Sequence, residues 1–108
     1  MFINEVQIES AFDALHDQAH AKARAAYEYA EKRIKVALAA AYKAADGKTV
    51  GEREANAQTS EPYGAALKSF HLIAENYYLQ RDRRDAASAV IDAWRTQQSD
   101  QRAAGRVG

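Results

Sequence analysis

The chain contains no cysteine, which excludes disulfides and thiolate metal sites. It has a single proline and five glycines. None of them falls between Asn4 and Ala45, so nothing in that stretch forces a helix to stop. No window approaches the ~20 apolar residues of a membrane span. Met1 to Ser10 offers neither a basic start nor a long apolar run, so no signal peptide is expected and the expected location is the cytoplasm. Charge of one sign is also missing: 15 basic residues meet 15 acidic ones, whereas dedicated nucleic-acid binders are usually basic overall. Gly47-Lys48-Thr49 lacks the upstream glycine and strand of a phosphate loop. No nucleophile elbow or pair of catalytic carboxylates is visible. The expectation is a protein without enzymatic activity and without a cofactor.

What is present in quantity is alanine, the largest share of the 47% hydrophobic residues. Alanine favours helix but adds little apolar area. In the first part of the chain Ile8, Phe12, Leu15, Ala19, Ala23, Ala26, Ala30, Ile34, Ala37, Ala41 and Ala45 follow a 4-3-4 rhythm, an eleven-residue repeat of 3.67 residues per turn. The pattern predicts one helix over residues 4–45. Asp46-Gly47 should end it, with glycine free to take a left-handed cap. Thr49 and Glu52 have the spacing of a capping box, which predicts a short helix over 50–58. Ser60-Glu61-Pro62 reads as a serine N-cap with proline in the first turn, opening a last helix over 61–102 and leaving 103–108 as a frayed tail. Tyr63, Leu67, Phe70, Ala74 and Tyr77 form one apolar strip of that helix; Ala87, Ile91 and Trp94 form another. The interruption between them, Gln80 to Asp85, reads as a solvated charged face. The predicted fold is all-α: one domain, 1–108, with two long helices in a hairpin and a short helix between.

Such a hairpin buries a thin seam. At roughly 25 cal/mol per Å², the seam faces about 1–2 kcal/mol of backbone entropy per residue. A homo-oligomer is therefore expected, joined through Ile8, Phe12, Leu15, Phe70, Ile91 and Trp94.

Three groups of residues invite a functional reading. Asp13, His16, Asp17 and His20 would share neighbouring helical turns, where a His-x-x-x-His pair can bind metal. With nothing nearby to complete a site, an exposed polar face is favoured and no metal is expected. Arg81, Arg83, Arg84, Arg95, Arg102 and Arg106 form a C-terminal basic group. A third group, Lys32, Arg33, Lys35 and Lys43 with nearby Lys48, is accompanied by Tyr27, Tyr29 and Tyr42. Rings among cations suit single-stranded nucleic acid, through base stacking and phosphate contact. Packing of the alanine seam would use the same tyrosines equally well. The acids Glu5, Glu9, Asp13 and Asp17 crowd the start of the chain, so net neutrality conceals an acidic start and a basic bend.

Lys35-Val36-Ala37-Leu38, running through Tyr42 to Asp46-Gly47, then Lys48-Thr49-Val50, then Tyr63, Arg84, Ala87, Ile91 and Arg95 resemble the UvsY-type phage recombination mediators over residues 30–100. The resemblance implies a small helical protein that assembles into closed rings and helps load a recombinase onto single-stranded DNA. Partners would be single-stranded DNA and a recombinase or single-strand-binding protein, in an infected bacterial cell. Where that family carries further basic residues, this chain has Ala39, Ala40 and Ala41, which moves the DNA contact onto Lys32, Arg33, Lys35 and Lys43. The alternatives are a small helical protein that binds or inhibits a host protein, and a purely structural hairpin.

Overall fold

A computed structural model describes residues 2–107. It contains four helices: α1 (Glu5–His16), α2 (Ala19–Ala44), α3 (Val50–Gln58) and α4 (Glu61–Val107). The architecture is an all-α hairpin, with two long helical limbs and a short helix between, and no strand occurs among the described residues. Contacts divide the chain into two units. One joins the residues up to Ala21 with those from Tyr78 onward; the other comprises Lys22–Tyr77.

The first limb is not one helix. It breaks after His16, where Gln18 takes φ 65, a left-handed conformation uncommon outside glycine. Asp17 makes the break possible. Its N–H still donates to the Asp13 carbonyl at 2.9 Å, closing α1. Its Oδ1 accepts from the Ala19 N–H at 3.0 Å, satisfying a donor at the opening of α2. The start of α1 is a full capping box: Asn4 accepts from the Gln7 N–H, and the Gln7 side chain accepts from the Asn4 N–H, each at 2.9 Å.

In the first unit α1 lies against the latter part of α4. Ile3, Ile8, Ala11, Ala14, Ala87 and Ile91 are buried together, with Leu15, Val90 and Trp94 packed on them. Phe12 meets Trp94 edge-to-face, with centroids 6.4 Å apart and planes at 82°. The Gln97 amide grips the Ile3 backbone twice, accepting from its N–H at 2.8 Å and donating to its carbonyl at 2.9 Å. Most of the residues expected to join copies of the chain are therefore engaged within one. Ile8 and Ile91 are buried in one cluster, Leu15 and Trp94 pack on it, and the exposed Phe12 meets Trp94 at its edge.

In the second unit Ala23, Ala30, Ala41 and Ala57 are buried. Bulk comes from aromatic rings: Tyr27 stacks on Tyr77 at 4.8 Å and tilts against Phe70 at 5.6 Å. Phe70, the remaining expected interface residue, is thus a half-buried intrachain contact.

Three helix ends differ from expectation. Gly47 has φ 154, an extended mirror-image conformation rather than the left-handed cap. A Cβ there would lie 2.9 Å from Arg53 Cγ and 3.0 Å from the Arg53 backbone nitrogen. The Ser60 hydroxyl donates back to the Ala57 carbonyl at 2.7 Å instead of capping α4; it finishes α3. The tail expected to fray, residues 103–107, continues α4, which no proline or capping glycine interrupts before Val107.

Candidate nucleic-acid interface

The geometry of α2 sorts its basic residues. With 3.6 residues per turn, buried Ala23, Ala30 and Ala41 mark its inner face. Lys32, Lys35 and Lys43 then fall on the opposite, outward face, all exposed. Ala39 stands between Lys35 and Lys43 on the same strip. Arg33 points to the flank, where its guanidinium lies 5.8 Å from the centre of the exposed Tyr29 ring. Lys48 lies in the segment after α2, and its N–H donates to Glu52 Oε2 at 2.7 Å while Thr49 Oγ1 accepts from the Glu52 N–H. The structure thus joins Lys32, Lys35 and Lys43 on one strip, sets Arg33 beside it and leaves Lys48 past the helix end.

The tyrosines have separate fates. Tyr27 is committed to the stack with Tyr77 and Phe70. Tyr42 is half-buried, with the Arg53 guanidinium 4.9 Å from its ring centre, a contact nothing in the sequence spacing announces. Tyr29 remains the most open of the three. Beside it an open groove of about 530 Å³ runs between α2 and α4, lined by Tyr29, Arg33, Ala37, Pro62 and Ile73 among others. On the other flank Lys35, Leu38, Tyr42 and Lys43 line a hollow of about 640 Å³ against Glu54 and Ala57 of α3.

Electrostatics separates the two basic groups. Between Lys32 and Lys48 the only acid is Asp46, and no ion pair among the described residues involves the side chains of Lys32, Lys35 or Lys43. The C-terminal arginines are largely engaged. Arg83 bonds Asp17 at 2.7 Å, Arg81 and Arg95 lie 3.7 and 3.9 Å from Asp82 and Asp92, and Arg84 is 3.3 Å from the His20 ring nitrogen. The hydrogen bond from Arg83, then that from the Ala19 N–H, holds the Asp17 carboxyl below its ordinary range; the same bond makes Arg83 hold its proton more tightly.

The break at Gln18 also removes the uninterrupted turn that a His16–His20 pair would need. His16 Nδ1 lies 2.7 Å from the Phe12 carbonyl, and His20 sits beside Arg84. Among the described residues no group of three His, Asp or Glu side chains could hold a metal ion, and no helix is long and apolar enough to cross a membrane.

The fold and this surface define a class: a helical hairpin presenting on its first limb a cationic strip that forms no ion pair among the described residues. No family model, curated protein or solved structure matches the chain. The likeness to the UvsY-type mediators accordingly rests on the residues quoted for it.

Proposed function

We propose that the protein is a recombination accessory factor of phage type. It binds single-stranded DNA as an oligomer and assists a recombinase or annealing protein, acting by binding rather than by catalysis. The observation that carries this reading is the outward strip of Lys32, Lys35 and Lys43, exposed and in no ion pair among the described residues, with Arg33 and Tyr29 at its edge. A phosphate backbone attracts an array of unpaired cations whatever the net charge of the chain, because local potential governs the encounter. Repetition of the strip in an oligomer converts individually weak sites into avid binding. The aromatic ring beside the cations supplies a stacking surface that tolerates any base.

The test is a titration with a fluorescent single-stranded oligonucleotide at two salt concentrations. Affinity should fall with salt at a log-log slope near −0.7 per phosphate neutralised. Changing Lys32, Lys35 and Lys43 together to Ala should weaken binding and flatten the slope while helix content holds, since alanine is a good helix former. Absence of single-strand binding by the parent at low salt would move the assignment to the host-protein-binding alternative.

A further inference from the structure

Ile8 and Ile91 are buried inside the chain, so a partner must use apolar surface that is still exposed. The core is small: among the described residues the ten buried hydrophobic ones are three isoleucines and seven alanines, and no large side chain is fully enclosed.

Leu67 and Leu72 of α4 are among the large apolar side chains left exposed. Tyr63, Phe70, Ala74 and Tyr77 turn inward within the second unit. Leu67 stands at the edge of that strip and opens a row with His71 and Glu75 at four-residue spacing; Lys68 and Leu72 form the row beside it, farther round the helix. Leu67 is 43% and Leu72 66% exposed. With Lys68 and His71 they line an open hollow of about 430 Å³, and the neighbouring backbone at Gly64 has nothing within 4 Å of where a Cβ would stand.

We propose that this face is where a second copy of the chain docks, helix α4 against helix α4, antiparallel about a two-fold axis between His71 and Leu72. This deepens the oligomer of the preceding section by naming its contact, and it stands whether or not DNA is bound. The charges select the geometry. A two-fold contact is self-complementary, so residue i meets j and j meets i. With the axis at that point, Lys68 of each copy faces Glu75 of the other, and Leu72 of each lies on His71 of the other. A parallel pairing in register would instead set lysine on lysine and glutamate on glutamate. Within one chain Lys68 and Glu75 are two turns apart, and Glu75 sits 3.8 Å from His71, beside the proposed axis.

Sedimentation and light scattering across a concentration series test the contact, using the full chain with Leu72→Glu, Lys68→Glu, Glu75→Lys and the double charge swap. The parent should dimerise at micromolar concentration and Leu72→Glu should be monomeric. Each single charge reversal should weaken association about tenfold by placing like charges together twice, and the double swap should restore it. All three positions are exposed, so circular dichroism should match the parent and exclude misfolding as the cause. A parent that stays monomeric from micromolar to millimolar concentration overturns the proposal. So does an oligomer indifferent to these variants, or one that the double swap fails to restore. Single-strand binding by a monomeric Leu72→Glu variant would leave the proposed function standing while the contact is judged separately.

Discussion

Asp17 and Arg83 are joined by a 2.7 Å ion pair across 66 positions of sequence, and the same carboxylate secures the break in the first limb through the Ala19 N–H. One side chain thus both shapes the bend and ties it to α4. Its carboxyl is held below the ordinary 3.8, first by Arg83 and then by Ala19. A carboxyl with a depressed folded pKa contributes stability that is fully present above the unfolded value. That contribution disappears as pH falls through the lower folded one. Thermal melts of the parent should therefore show a component lost below pH 3.8 that Asp17→Asn lacks. Because asparagine can still accept from Ala19, Asp17→Ala should be the less stable of the two variants at neutral pH. Both partners are more than a third exposed, so solvent keeps the effect small.

Gln18 occupies a left-handed conformation at φ 65 that costs an L-residue roughly 1–2 kcal/mol. Gln18→Gly removes that strain and gives some of it back as unfolded-state entropy. Denaturant unfolding should show a net gain of about 1 kcal/mol, with unchanged helix content.

Gly47→Ala should act in the opposite direction. At φ 154 the new methyl group meets Arg53 Cγ and backbone at 2.9–3.0 Å, and the backbone atom cannot swing away. A loss of about 1–3 kcal/mol is expected, read as a lower denaturant midpoint.

Ile91 is 4% exposed in the shared core of α1 and α4. Truncation to Ala should cost about 2–5 kcal/mol. Phe70 is half-buried, so Phe70→Ala should fall below the about 3–5 kcal/mol of an enclosed phenylalanine. Paired unfolding curves give the ranking directly.

Much of the fold was legible because α-helices advertise their ends and faces in local chemistry. Thr49 and Glu52 announced α3, whose observed limits coincide with the expected 50–58. The 4-3-4 rhythm correctly placed Ile8, Ala23, Ala30 and Ala41 inward; only Phe12 and Ala26 of that series are exposed. The break at Gln18 was hidden because it uses neither proline nor glycine. An aspartate able to cap the next helix was the sole signal, and the apolar rhythm ran straight through it. The basic strip of α2 was visible as a cluster of residues, but its division was not. Tyr27 turns inward to Tyr77 and Tyr42 under Arg53, choices set by neighbours 50 and 11 positions away. Ile8, Leu15, Ile91 and Trp94, expected to join copies of the chain, are bulky apolar residues, and an alanine-rich chain needs such residues for its own interior.

The unit formed by Lys22–Tyr77 is continuous in sequence, while its companion needs both ends of the chain. Synthesis from the N-terminus makes this an ordering in time. When Tyr77 has left the ribosome, the stack of Tyr27, Phe70 and Tyr77 can already close. Helix α1, made before α2, must wait exposed until Ala87, Ile91 and finally Gln97 emerge, 94 positions after Ile3. A segment made before α2 is thus completed only after α2 has found its partners, which leaves Ile3, Ile8 and Phe12 open to misassociation in the nascent chain for longer than the Tyr27 stack.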